Sequence, residues 1–241
     1  MLLYIFVPKI SKMSLLKEQK LTGIVTVLSG LIAFACIMAT LIAVNFNDKA
    51  LSDPILMLST AGTSSVAARW SMVFDMFGYY LLLLPVIYLL HDWMKEKSAW
   101  ANMVTFCGLA YVLIGSIGAS ILAVVWPPIM TAFPGATAAE QQIMKANFSL
   151  INDMVYNGMW NLLEMAFAAA WWIFTGSMLV KNSFRFMGWL TVVTGISCLG
   201  DALSGLLQIG LLHELSLNVY LLLAIFWAIA IGIFMIKECL K

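Results

Sequence analysis

Three acidic residues, Asp75, Glu164 and Asp201, stand inside stretches of sequence that are otherwise apolar enough for hydrocarbon. A charged side chain at the centre of a bilayer costs about 2.5–3.5 kcal/mol on insertion scales. Such groups must therefore face a shared interior, keep their protons, or hold a cation. No Lys or Arg accompanies them at the same level of their segments. Three carboxyls without a fixed counter-charge suit a proton, a metal cation or a positively charged small molecule.

Polar neighbours extend the set. Asp153, Asn157, Asn161 and Glu164 follow spacings of 4, 4 and 3, which an α-helix of about 100° per residue gathers onto one face. Thr194, Ser197, Asp201, Ser204 and Gln208 do the same in the next apolar segment. Ser71 and Tyr79 fall on the side of Asp75, and Tyr111, Ser116 and Ser120 offer hydroxyls from a further segment. The expected ligand-binding set is Asp75, Tyr79, Asn157, Asn161, Glu164, Asp201, Ser204 and Gln208. Arg69 is the residue most able to spoil it, because it stands close enough before Asp75 to reach down and neutralise a carboxylate.

Other chemistries fit less well. Asp75, Glu164, Asp201 and His213 would be the ligands of a divalent metal in an intramembrane hydrolase. The chain has only two histidines, His91 and His213, and carries no H-E-x-x-H and no G-x-S-x-G. The remaining reading is a non-catalytic accessory, scaffold or lipid-interacting protein, with the acids as hydrogen-bonding glue between helices.

The elements that must position these residues follow from composition. Of 241 residues, 63% are hydrophobic and 10% charged, against roughly 45–50% and about 25% in soluble domains. That excludes a soluble globular domain, a disordered chain and a collagen-like fibre. Thirteen Lys and Arg against twelve Asp and Glu leave a net charge of +1, so no basic surface invites nucleic acid. The expected fold is an all-α membrane protein, a six-transmembrane-helix bundle.

A span needs roughly 20 apolar residues, and six stretches supply them: about 21–43, 70–91, 102–126, 157–180, 186–210 and 217–236. Residues 1–20 form an N-terminal tail, 21–236 the membrane domain and 237–241 a C-terminal tail. Residues 1–12 read as an extension before Met13. MLLYIFV is too short for a signal-peptide core. Ten of the thirteen Lys and Arg fall in the tails and the even-numbered links, and three (Lys49, Arg69 and Lys145) on the opposite side. The positive-inside rule then puts both termini in the cytoplasm, and the compact size fits a bacterial inner membrane. On these helices all three acids lie in the outer third, on the order of 5–8 Å into the hydrocarbon at about 1.5 Å per residue.

Further expectations concern local structure. Pro85 should kink the second span and free the carbonyl of Leu81. Trp70, Trp126, Trp160, Trp93 and Trp100 read as interfacial belts. Residues 44–69 and 127–150 read as long outer loops, the second ending in a helical piece that either lies at the interface or extends the fourth span. Cys36, Cys107 and Cys198 read as buried thiols, with Cys239 beyond the last span. Glycines spaced by seven recur at Gly23/Gly30, Gly108/Gly115 and Gly188/Gly195. Close packing of membrane helices accounts for them better than an internal repeat.

Overall fold

A computed structural model of the protein describes residues 12–60 and 62–237. Cys239 and, apart from Lys12, the extension before Met13 lie outside the described residues. Six helices are long and apolar enough to cross a membrane. They are α1 (Lys12–Ala43), α2 (Ser65–Lys95), α3 (Ala101–Gly135), α4 (Ala138–Lys181), α5 (Arg185–Leu207) and α6 (Gly210–Lys237). No strand occurs among the described residues. The protein is thus an all-helical, polytopic membrane protein.

The helices form a ring in chain order. Each packs against its sequence neighbours, and α6 returns to close on α1. Gln19 of α1 donates to the carbonyl of Met235 of α6 at 3.0 Å, so the start of α1 and the end of α6 share one end of the bundle. That end is the terminal end below, and the opposite one the loop end. Two seams of the ring depend on glycine. A Cβ on Gly23 would come within 2.6 Å of the carbonyl oxygen of Gly232, and one on Gly188 within 2.9 Å of that of Gly176. Only a missing side chain lets these backbones approach so closely. Gly108 and Gly115 serve another purpose, since a Cβ there would strike the rings of Trp171 and Tyr80. The seven-residue glycine spacing therefore marks several different contacts.

The terminal half of the ring is filled by aromatic and aliphatic side chains. Trp171, Trp172 and Trp227 are fully buried. The rings of Trp172 and Trp227 lie 4.3 Å apart edge to face, and Trp171 meets both. Trp227 Nε1 donates to Thr191 Oγ1 at 2.8 Å. At the loop end, two short helices, Asp48–Ser52 and Pro54–Ser59, follow α1. Asp53 caps the second, its carboxylate accepting from the N–H groups of Ile55 and Leu56. With the start of α4 they close a second apolar cluster around Trp126, Phe133 and Phe148, to which α5 and α6 contribute no residue. The cap thus sits over α2, α3 and α4 and leaves the α5–α6 turn uncovered.

Several expectations need correction. The helix of α3 runs through Pro127 and Pro128 to Ala132, although each proline removes one backbone N–H donor from the helix. Thr137 and Glu140 form a reciprocal capping box, and α4 runs 44 residues from that point. Gln208 closes α5 with a left-handed backbone, φ 57°, and His213 already lies in the first turns of α6. The aromatic belt keeps only Trp70 and Trp100, which are exposed, whereas Trp93, Trp126 and Trp160 are buried in the bundle.

Two stretches of wider helix interrupt the ring. Met76–Tyr80 of α2 and Asp153–Glu164 of α4 adopt π-helix, with i→i+5 hydrogen bonds. In α2 the π turn is followed by a 3-10 turn over Leu81–Leu83, just ahead of Pro85. The proline distortion takes this form, but the carbonyl of Leu81 is not freed: Pro85 has no N–H to offer it, and it accepts instead from the N–H of Leu84 in the tighter turn. In α4 the run contains Asn157, Gly158 and Asn161, residues with weak α-helical preference.

Candidate functional site

The two π segments border the acids. Asp75 immediately precedes the first, and Glu164 is the last residue of the second. Asp201 lies on the regular helix α5, under two turns from its end. All three are buried: Glu164 and Asp201 are 0% exposed and Asp75 8%. Glu164 is within electrostatic range of both of the others. The acids of three separate helices therefore converge on one region.

Each has a different partner. Tyr80 donates to both carboxylate oxygens of Glu164, at 3.1 and 3.2 Å. The Cys36 thiol lies 3.9 Å from Asp75 Oδ1. His213 Nδ1 is 2.6 Å from Asp201 Oδ1. The other oxygens, Asp75 Oδ2 and Asp201 Oδ2, are buried without any hydrogen-bond partner. A buried carboxylate oxygen left so is costly unless a proton or a cation occupies it. Among the described residues, no Lys or Arg pairs with any of the three. Arg69 does not reach Asp75, but lies exposed in a surface concavity with Ser65, Trp70 and Pro127.

A tyrosine cluster lies beside the acids. Tyr111 donates to the carbonyl of Tyr79 at 2.7 Å, and its hydroxyl is 2.9 Å from that of Tyr220. Tyr79 donates to the carbonyl of Leu221 at 3.3 Å. Ser29 of α1 donates to the carbonyl of Gly78, inside the first π segment. The wider turn thus spends its displaced carbonyls on side chains of neighbouring helices. His213, the partner of Asp201, has a side chain 33% exposed at the uncapped turn.

The expected site residues divide accordingly. Asp75, Tyr79, Asn161, Glu164, Asp201 and Ser204 are buried. Ser204 Oγ donates to the carbonyl of Asp201 at 2.6 Å. Asn157 and Gln208 are exposed. Asn157 bonds only Asp153, one turn back in the same exposed stretch. The expected single face from Asp153 to Glu164 does not form. A π turn takes more residues than an α turn, so spacings of 4, 4 and 3 spread around the helix. Gln208 turns away because the helix has ended there. Thr194 and Ser197 bond the carbonyls four residues back and extend no hydroxyl to the acids.

Three participants were not singled out from sequence: Tyr80, Tyr220 and Cys36. Regular α spacing selects Tyr79 as the partner on the side of Asp75. The π turn shifts the register by one and sends Tyr80 inward to Glu164. Tyr220 stands seven residues after His213, two turns along one face of α6. No local signal separates Cys36 from the other buried thiols. The metal set is also altered. Among the described residues, no group of three or more His, Cys, Asp or Glu side chains is arranged to hold a metal ion. His213 meets Asp201 alone.

Comparison with protein-family models, curated proteins and solved structures finds no match.

Proposed function

We propose that this membrane protein binds a monovalent cation, inorganic or small organic, in exchange for a proton at Asp75, Glu164 and Asp201, and moves it across a bacterial inner membrane. The observation that carries this reading is the pair of buried oxygens, Asp75 Oδ2 and Asp201 Oδ2, with no partner, on residues within electrostatic range of Glu164. A proton on each would remove its charge, and a monovalent cation at either could replace that one proton without any counter-charge having to leave. His213 is the natural port, since it is partly exposed and touches Asp201. The π turns flank two of the acids, and such turns are frequent at functional sites.

Proton release on cation binding is the test. Purified protein in weakly buffered detergent is titrated with sodium, potassium or tetraphenylphosphonium while a pH dye records released protons. Release by at least one of these cations, lost in Asp75→Asn and Asp201→Asn, is the expected result. Absence of release with all three would overturn the reading.

A second reading has its own support. Glu164 already bonds Tyr80 and Asp201 already meets His213, which is what interhelical glue would require. It predicts that the acid-to-amide variants lose stability rather than ligand response.

A further inference from the structure

On the outer surface of α4 and α5, away from the acids, a groove of about 460 Å³ runs toward the terminal end. Small side chains, Ala166, Ala169, Ala170 and Ser177, line it together with Phe174 and, from α5, Leu199. Lys181, the last residue of α4, closes its end. From Ala166 to Lys181 the helix rises roughly 22 Å at about 1.5 Å per residue. That covers the hydrocarbon depth of one leaflet, about 15 Å.

The charge at the mouth selects the occupant. Lys181 is exposed, and Arg185 stands exposed four residues later, in the first turn of α5. No carboxylate among the described residues pairs with either. Phe184, at the N-cap of α5, makes no side-chain capping bond, so the first N–H groups of that helix also lack a side-chain acceptor. Two unpaired cations and an uncapped helix start make an anion site at headgroup level. The apolar slot beside it suits an acyl chain. A free anion would leave the slot unused, and a neutral lipid would leave both cations unpaired.

We infer that the α4–α5 groove is a binding site for one anionic glycerophospholipid, with its phosphate at Lys181 and Arg185 and an acyl chain against Ala166, Ala170 and Ser177. The site is independent of the acidic cluster and of any function assigned to it. Basic pockets between membrane helices commonly take such headgroups.

Native mass spectrometry of delipidated protein tests it, with dioleoylphosphatidylglycerol, dioleoylphosphatidylcholine and inorganic phosphate as separate probes. The first phosphatidylglycerol should bind on the order of twentyfold tighter than phosphatidylcholine, about fivefold for each basic residue. Lys181→Gln with Arg185→Gln should abolish that preference. Lys17→Gln with Lys20→Gln, which removes equal charge from the same end, should leave it intact. Ala170→Phe, which fills an exposed position in the slot and demands no repacking of the core, should weaken both lipids. Phosphate that competes as well as the lipid would overturn the assignment to a lipid. So would a preference that survives the Lys181/Arg185 change, unaltered binding in Ala170→Phe, or a dimer that Ala170→Phe dissociates.

Discussion

The two halves of the bundle solve the same packing problem in opposite ways. Toward the termini, Trp171, Trp172 and Trp227 fill the ring edge to face, the helices are regular, and glycine pairs hold α1 on α6 and α4 on α5. Toward the loops, three buried acids stand beside Trp126 and Trp160 in the core, and two of the helices that carry them widen into π turns. Two carboxylate oxygens there have no partner. Packing alone would favour the first solution throughout, because apolar side chains fill a core without any polar atom to satisfy. A membrane protein that keeps the second solution in half its core retains groups that chemistry can use.

Substitutions in the two halves can sharpen or break that contrast, beginning with the largest effect. Trp172→Ala opens a cavity where nothing can collapse, and should cost about 3–5 kcal/mol of stability in detergent unfolding. A loss below about 1 kcal/mol would mean the tryptophan layer is not what holds the ring. Next in size, Gly23→Leu drives a side chain into the Gly232 backbone and should cost about 1–3 kcal/mol. A melting temperature equal to wild type would show that α1 can separate from α6 freely.

In the acidic half the expected losses are smaller. Tyr80→Phe removes the hydroxyl that serves Glu164 and should cost about 1 kcal/mol. Infrared difference spectra should move the Glu164 carboxyl band in that variant, and an unmoved band would remove Tyr80 from the site. Asp75→Asn should change stability by under about 1 kcal/mol, since the oxygen it alters has no partner to lose. A loss as large as that of Trp172→Ala would erase the contrast and favour the glue reading. His213→Ala should affect stability least, because the side chain is partly exposed. Its signature should be slowed proton release from Asp201 in stopped-flow measurements with a pH dye. Release at the wild-type rate would place the port elsewhere.

Much of this architecture was legible in the residues themselves. Six apolar stretches must become helices, since only helices and closed barrels satisfy the backbone in hydrocarbon. Asp75, Glu164 and Asp201 were conspicuous because apolar surroundings make an acid expensive wherever it points. Their convergence could be expected from their similar levels in three separate spans. The choice among Asn157, Asn161, Tyr79 and Tyr80 could not. It depends on turns that depart from 3.6 residues, and the hydrogen-bond pattern that widens them is completed partly by Ser29 on another helix.

Sequence by itself determined the number of helices, their apolar character and the acids they carry, because each follows from the transfer of single residues out of water. Only the tertiary structure decided which tyrosine meets Glu164, that Asp201 takes His213, that Arg69 stays at the surface, and that Trp93, Trp126 and Trp160 turn inward. Those outcomes depend on rotation about each helix axis. That rotation is fixed by how closely the glycine seams let neighbouring backbones approach, and by the one-residue slip that a π turn introduces.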